Sequence, residues 1–260
     1  MTRRLAAVFA HPDDDTYGVA GTVALHASEG IEVTVVLATR GEAGQIADPS
    51  LATRETLGAV REAEDRASWM AVGVETAVDF LGYPDGGVVA VAHEELVAAI
   101  EQRLERARPD VVVTFGPDGV TGHGDHVAVG RAATVAFHRL RERRQDRGLR
   151  RLLHVGIPRS RFDRWNELLR ERGMEPLDPT QPFTPRPVPD DRIAVSVDCR
   201  SVFDRKREAL AQHRTQAEMH DVPFEAWLEV LGWEDFVQGW PERPLGQAIL
   251  SDVFEELPGA

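Results

Sequence analysis

Residues 5–15 read LAAVFAHPDDD, a continuous apolar run followed at once by one histidine and three aspartates. An apolar run without alternating polar residues predicts a strand that is buried on both faces, as in a parallel sheet. The polar side chains then come directly after the carboxyl end of that strand, where open α/β sheets bind their ligands. This stretch therefore predicts both a fold class and the edge of the sheet that carries the chemistry.

The same pattern continues through the first two thirds of the chain, where short apolar runs alternate with amphipathic segments. We predict further buried strands over 33–38, 78–81, 111–115 and 152–155, and helices over 16–29, 53–72, 93–106 and 125–143. This alternation is typical of an α/β fold. It predicts a Rossmann-like parallel sheet with helices on both faces.

The last hundred residues have a different character. The stretch 173–192 is rich in proline and predicts a meandering loop, either a lid or a connection. A strand over 193–197 and a helix over 201–213, capped by Ser201 or Asp198, are predicted to follow. We expect a single α/β domain over 1–260, with its core at 1–157 and a C-terminal extension of mixed strand and helix at 158–260.

The composition of the chain excludes several classes of protein. Its 260 residues include one cysteine and carry a formal net charge of −13. A single cysteine excludes an intrachain disulfide, and the acidic balance is unfavourable for a broad nucleic-acid interface. The sequence has no apolar stretch of about 18 residues and no signal-peptide pattern, so we expect no membrane span and a cytoplasmic location. It leaves both a monomer and a homo-oligomer open.

Two loops at predicted strand ends combine imidazole with carboxylate. One holds His11 and the aspartates after it, and the other is Gly122-His123-Gly124-Asp125-His126. Imidazole and carboxylate are the usual ligands of catalytic zinc, which takes three protein ligands and leaves a position for water. His11 and Asp14 could converge on one point, and a histidine of the second loop could complete the set. Asp13 is then a candidate general base for the water.

Together these motifs identify a resemblance to the LmbE/PIG-L family of zinc-dependent deacetylases, whose patterns are usually written AHPDDE and GHPDH. The similarity extends over about residues 5–215. Matching segments occur in order as HPDDD at 11–15, TRGEAG at 39–44, REAE at 61–64, LGYPDG at 81–86, HGDH at 123–126 and HRTQ at 213–216. The resemblance implies a hydrolase that uses Zn²⁺ to remove an acetyl or other N-acyl group from an N-acetylglucosamine-type conjugate, a small-molecule substrate.

The resemblance also implies roles for individual residues. Zinc ligands are expected at His11, Asp14 and His126, and the general base at Asp13. His123 is expected to stabilise the oxyanion or protonate the leaving amine, with Asp125 as its orienting partner.

Contacts with sugar hydroxyls are expected at Arg61 and Asp85. From the residues alone, Arg61 is interpreted as a surface residue of a helix and Asp85 as a turn former.

Two other interpretations compete with the deacetylase. Asp13 and Asp15 form an Asp-x-Asp pair after a strand, as in a phosphatase with an aspartate nucleophile and magnesium. That interpretation leaves the histidines without a role, and imidazole suits zinc better than magnesium. The other alternative is a non-catalytic module that binds a metal or a ligand, which would not need the Asp13 carboxylate.

Overall fold

The computed structural model describes residues 2–143, 148–216, 224–244 and 246–257. The strands are β1 (Arg4–Phe9), β2 (Glu32–Leu37), β3 (Thr76–Phe80), β4 (Val111–Phe115), β5 (Arg151–Val155), β6 (Ile157–Pro158), β7 (Pro187–Val188), β8 (Ile193–Asp198) and β9 (Trp233–Trp240). The α-helices are α1 (Asp14–His26), α2 (Leu57–Val72), α3 (His93–Ala107), α4 (Gly124–Arg143), α5 (Arg159–Glu171), α6 (Phe203–Leu210) and α7 (Phe224–Leu231).

The main sheet has seven strands in the order β3-β2-β1-β4-β5-β9-β8. The first five are parallel, whereas β9 runs antiparallel to both β5 and β8. The chain moves outward from β1 in one direction and from β4 in the other, so a crevice opens between the carboxyl ends of these two strands. The predicted Rossmann-like sheet is confirmed, and the C-terminal extension adds two strands to its edge.

The centre of the sheet is buried because its strands are apolar on both faces. Leu5–Phe9 of β1 and Val111–Val113 of β4 are at most 1% exposed. Helices α1, α2 and α6 pack together on one side, and α3 packs beside α4 on the other. Covering both faces in this way removes the apolar strands from water, which is the main stabilising contribution in such folds.

Several predicted boundaries shift in the structure. The helix expected over 53–72 begins at Leu57, because the backbone N–H of Thr53 donates to Thr56 Oγ1 in a turn before it. The helix expected over 201–213 spans only Phe203–Leu210, and it begins without a side-chain cap. The predicted cap is wrong because the Asp198 carboxylate accepts hydrogen bonds from Arg200 instead.

Several elements of the C-terminal part were not predicted, namely the short strands β6 and β7, the helices α5 and α7, and strand β9. Helix α5 follows β5 almost directly, and β9 lies between β5 and β8 in the sheet. Among the described residues, no helix has the length and apolar character needed to cross a membrane.

Candidate metal and catalytic site

Potential ligand atoms of three residues meet where the loops after β1 and β4 approach each other. His11 Nδ1 lies 3.1 Å from His126 Nε2 and 3.3 Å from Asp14 Oδ2. His126 Nε2 lies 3.4 Å from Asp14 Oδ1. The two predicted loops are therefore brought together at the crevice of the sheet, and they turn nitrogen and oxygen atoms toward one point.

The carbonyl of Gly119 fixes the orientation of the His126 ring. His126 Nδ1 donates to this carbonyl oxygen at 3.0 Å, so in the neutral ring the lone pair is on Nε2, which faces His11. Gly119 has a φ of +64°, and a Cβ at this position would lie 2.8 Å from the Cβ of His126. A side chain at this position would be strained and would push the imidazole away.

Asp14 is held from within its own loop. The backbone N–H of His11 donates to Asp14 Oδ2 at 2.8 Å. Burial would raise the pKa of the Asp14 carboxyl, but the His126 and His11 imidazoles outweigh burial and lower this pKa well below its usual range. Asp14 is therefore an anion over the whole range of physiological pH.

The opposite nitrogen of His11 faces two carboxylates. His11 Nε2 lies 3.0 Å from Asp85 Oδ1 and 3.5 Å from Asp125 Oδ2. Burial would lower the pKa of His11, but Asp125, Asp14 and Asp85 outweigh it and raise the pKa well above its usual value. The Asp85 carboxylate is itself held by the backbone N–H of Ala43, at 2.8 Å. A proton on Nε2 would leave Nδ1 free to bind a metal.

The donor set of His11, Asp14 and His126 fits a tetrahedral metal ion. Ligand atoms about 2.0–2.1 Å from zinc lie about 3.3 Å from one another. The two nitrogens are 3.1 Å apart, and each lies at a similar distance from one of the two Asp14 carboxylate oxygens. Two further groups of potential ligands share His11, and the atoms of each lie within 4.8 Å of one another: His11, His123 and His126, and His11, Asp85 and Asp125. The site can therefore hold a metal, and three donor sets compete for it.

Asp13 has an unusual backbone and an unusual environment. Its φ is +105°, a conformation that non-glycine residues rarely adopt outside functional sites. Arg61 Nη2 donates to Asp13 Oδ2 at 2.9 Å and to the carbonyl of Pro12 at 2.5 Å. Burial raises the pKa of Asp13 to about 7, against the opposing charge of Arg61. This carboxyl can therefore both release and accept a proton near neutral pH.

The interpretation of Arg61 as a surface residue is wrong, because its side chain is 4% exposed. Its Nη1 also donates to the carbonyl of Gly41 at 3.0 Å, and a Cβ on Gly41 would lie 2.3 Å from that nitrogen. Helix α2 thus directs the guanidinium under the loop that carries Asp13.

His123 and Asp125 are adjacent to the cluster, but they contact each other differently from the pairing that the resemblance implies. The backbone N–H of Asp125 donates to His123 Nδ1 at 3.2 Å, whereas the Asp125 carboxylate accepts from the backbone N–H of Gly86 at 2.8 Å. The expected contact of the Asp125 carboxylate with His123 is replaced by one with His11, since the start of α4 turns that carboxylate toward the first loop. Burial, together with His11 and His126, lowers the pKa of His123.

Two features of the site were not found from the sequence. The first is the carbonyl of Gly119, which orients His126. It is a backbone group, so the residue type does not indicate its role. Phe183 of the proline-rich loop brings its ring to 5.3 Å from the ring of His123 while its side chain stays 68% exposed. A contact between such distant parts of the chain leaves no periodic signal, although an aromatic residue among prolines could have been noted.

The Rossmann-like sheet with imidazoles and carboxylates gathered at its switch point defines a hydrolase that works with a metal ion. The family described as PIG-L, GlcNAc-PI de-N-acetylase, matches residues 6–137, about half of the chain. The chain belongs to this family of metal-dependent deacetylases.

Two curated relatives are similar over nearly the whole length. The 1D-myo-inositol 2-acetamido-2-deoxy-alpha-D-glucopyranoside deacetylase of Geodermatophilus obscurus is 33% identical, over 99% of this chain and 99% of the relative. The enzyme of the same name from Acidothermus cellulolyticus is 32% identical, over 91% of this chain and 87% of the relative.

A solved structure has the same fold. The N,N'-diacetylchitobiose deacetylase from Pyrococcus horikoshii superimposes with a TM-score of 0.59 at 20% identity, covering 91% of this chain and 83% of that one. At this identity the similarity supports the fold alone. The family match and the curated relatives confirm the predicted enzyme class, a hydrolytic deacetylase.

Proposed function

We propose that this protein is a zinc-dependent N-deacetylase that acts on a small N-acetylglucosamine conjugate and holds its metal through His11, Asp14 and His126. The observation that carries the proposal is the approach of three side chains: His11 Nδ1 and His126 Nε2 lie 3.1 Å apart, and the Asp14 carboxylate lies 3.3 Å from the first nitrogen through Oδ2 and 3.4 Å from the second through Oδ1. The names of the curated relatives, which are deacetylases of an acetamido sugar linked to inositol, support the substrate class.

Two imidazoles and one carboxylate form a donor set that suits zinc. When bound, zinc would lower the pKa of water from 15.7 to about 7 and polarise the amide carbonyl. The Nε2 side of His11, which faces Asp85 and Asp125, would keep the ring oriented. Such contacts to a ligating histidine typically increase metal affinity.

We assign the general base to Asp13. Arg61 holds Oδ2 of this carboxylate, so we assign proton transfer to Oδ1. A pKa of about 7 lets Asp13 take the proton of the attacking water and give it to the leaving amine. Arg61, which is itself held by the carbonyl of Pro12, keeps the Asp13 carboxylate in place despite the strained backbone of Asp13.

We assign stabilisation of the tetrahedral oxyanion to His123. Its Nδ1 accepts the backbone N–H of Asp125, so in the neutral ring the proton is on Nε2. The lowered pKa of His123 favours this neutral form. An Nε2–H group held in place can donate a hydrogen bond to a developing negative charge without reorganisation.

Arg61 and Asp85 receive positioning roles in this proposal. The contacts of Arg61 with Asp13 and of Asp85 with His11 support such roles. The predicted contacts of these two residues with sugar hydroxyls stay predictions. A single free cysteine, Cys199, is buried, which fits a reducing compartment, and we place the enzyme in the cytoplasm.

The two competing interpretations have less support. Asp15 is fully buried, and its carboxylate accepts from the Trp69 indole N–H at 2.5 Å, so Asp13 and Asp15 do not face one substrate as a phosphatase pair. A non-catalytic module would not require a strained aspartate with a pKa of about 7 beside the ligand cluster.

The proposal is tested by removing metal from the purified protein with a chelator and then restoring zinc or magnesium. We expect zinc to restore the release of free amine from N-acetylglucosamine conjugates, with acetate as the second product. Magnesium-dependent release of phosphate, or no amine release with any restored metal, would contradict the proposal.

A further inference from the structure

A large cavity opens from the candidate site toward the C-terminal part of the chain. Its volume is about 590 Å³, and Asp13, Asp14 and His126 line its inner end. The remainder of the wall is mostly apolar and is formed by α5, α7 and the proline-rich loop, including Trp165, Leu169, Met174, Leu177, Phe183 and Trp227. Asp85 and Arg61 lie outside this wall.

The cavity is much larger than an acetyl group requires. Pockets of about 300–1,000 Å³ enclose ligands the size of a drug molecule. An acetyl group offers only one methyl group to such a space. The polyol named in the curated relatives carries hydroxyls around its ring, and an apolar wall would leave them without partners.

Four charged residues of the wall form two ion pairs with each other. Lys206 Nζ donates to Glu234 Oε1 at 2.8 Å, and both side chains are at most 2% exposed. Arg161 Nε donates to Asp235 Oδ2 at 2.6 Å. Arg172 also lines the cavity; it is exposed, and its Nη1 donates to the carbonyl of Leu168 at 3.0 Å. The buried charges of the wall are therefore neutralised within the protein, and most of the surface offered to a ligand is apolar.

Phe183 marks the mouth of the cavity beside the reaction centre. It combines a φ of +60° with a side chain that is 68% exposed, and its ring lies 5.3 Å from that of His123. A bulky residue in the left-handed region is strained, and strain of this kind concentrates where a ligand is bound. The loop therefore holds an aromatic ring in water next to the catalytic imidazole.

We propose that this cavity binds an extended apolar group of the substrate, carried on its N-acyl chain or as an alkyl group on the sugar. The inference rests on the proposed deacylation of an amino sugar and specifies its substrate class. Each methylene buried in the cavity should improve binding about fourfold, as expected from apolar burial.

One kinetic experiment with two comparisons distinguishes an apolar group on the N-acyl chain from one attached to the sugar. The first compares N-octanoylglucosamine with N-acetylglucosamine, and the second compares the octyl with the methyl glycoside of N-acetylglucosamine. We expect the octyl-bearing member of one pair to have a kcat/KM at least tenfold higher than its partner. Hydrolysis of the acetyl and methyl compounds without such a preference in either arm would overturn this inference and leave the proposed function standing.

Binding to an Asp13→Asn variant separates the inference from the chemistry. Trp165 and Trp227 line the cavity, so bound octyl groups should change the tryptophan fluorescence. We expect the octyl-bearing member of the preferred pair to bind at least tenfold more tightly than its short partner. Equal binding of long and short compounds would overturn the inference. No turnover of any compound by the metal-loaded wild type would instead contradict the proposed function.

Two methionines provide a matched pair of variants. Met174 lines the cavity and is 45% exposed, whereas Met70 lies on α2 away from it and is 80% exposed. Met174→Gln should reduce the octyl preference severalfold, and Met70→Gln should leave it unchanged. An equal effect of the two substitutions would count against the cavity.

Leu177→Asn places a polar group further along the wall. The backbone of Leu177 is held by the Asn166 side chain at 2.7 and 3.0 Å, so the loop keeps its anchor after the substitution. We expect a larger loss of octyl preference than with Met174→Gln. An undiminished preference in both variants would overturn the inference.

Discussion

The carboxyl edge of β1 and β4 and the C-terminal wall of the cavity are built on opposite principles. At the edge, short loops hold a few charged side chains in place through backbone hydrogen bonds, such as those from His11 to Asp14 and from His126 to Gly119. The wall consists of helices and a proline-rich loop that present apolar side chains. We therefore infer that the loops after β1 and β4 carry the chemistry and that the apolar wall selects the substrate.

The two regions are joined at helix α1, which begins at Asp14. Glu234 of β9 accepts the backbone N–H groups of Gly21 and Thr22 in this helix at 2.8 and 2.7 Å. The same carboxylate is paired with Lys206. The helix that carries a candidate metal ligand is therefore attached to the C-terminal part through one buried carboxylate.

The largest effect is expected from Asp13→Asn, which keeps the shape of the side chain and removes its basic function. The turnover number kcat should fall by about 10²–10⁴-fold, with metal content unchanged. Asp163→Asn serves as a control, because Asp163 is 59% exposed on α5. A fall in kcat of less than tenfold, or a loss of metal equal to the loss of turnover, would refute the assignment of Asp13.

Lys206→Met tests the attachment of the C-terminal part. Removing the ammonium leaves Glu234 buried without its charged partner, so the free energy of unfolding should fall by about 3–5 kcal/mol. Urea denaturation measures this change. In the control Arg200→Met, which breaks an exposed pair with Asp198, the loss should be about 0–1 kcal/mol. Equal losses in the two variants would mean that the buried pair does not hold the regions together.

Asp85→Asn tests whether the edge orients its own ligands. The structure places Asp85 Oδ1 3.0 Å from His11 Nε2, and weakening this contact should reduce metal affinity about 10–100-fold. Competition with a chromophoric chelator measures the affinity. As a control, Asp79→Asn on β3 alters an ion pair with Arg106 of α3 and should leave the metal affinity unchanged. Unchanged metal affinity in Asp85→Asn would show that Asp85 does not orient His11 for metal binding.

The smallest effect is expected from His26→Gln, at a contact between the N-terminal core and the C-terminal end. Burial would lower the pKa of His26, but Asp252, 3.2 Å from Nε2, and Glu29 outweigh it and raise the pKa, against the opposing charge of Arg3. The stabilisation is therefore complete below the ordinary pKa of about 6.5 and is lost as pH rises through the raised value.

Wild type should thus exceed His26→Gln in unfolding free energy by about 1 kcal/mol at acidic pH and by less at alkaline pH. Urea denaturation at both pH values measures the difference. A difference that does not change with pH would show that packing against Phe254, not protonation, is what the substitution removes.

The sequence predicted the carboxyl edge of β1 and β4 far better than the C-terminal wall of the cavity, for a physical reason. Strand β4 was predicted with its observed bounds, since a run of apolar residues has few alternatives to a buried strand. Strand β9 contains Glu234 and Asp235, which are buried only because Lys206 and Arg161 neutralise them. That pairing joins distant parts of the chain and cannot be inferred from local patterns.

The same limit applies within the site. The motifs identified the residue types of the cluster, and the predicted parallel sheet indicated that they lie at the carboxyl ends of its strands. The strand order that opens a crevice between β1 and β4 was not predicted. The contacts of His11 with Asp85 and of Arg61 with Pro12 depend on how two separate loops and helix α2 approach one another. Their geometry required the three-dimensional structure.

Our assignment of a metal to His11, Asp14 and His126 can be checked by anomalous diffraction at the zinc absorption edge from crystals of the zinc-loaded protein. We expect one peak about 2.0–2.2 Å from His11 Nδ1, His126 Nε2 and an oxygen of Asp14. A peak on the other side of the imidazole, among His11, Asp85 and Asp125, or no peak at this edge of the sheet, would contradict it.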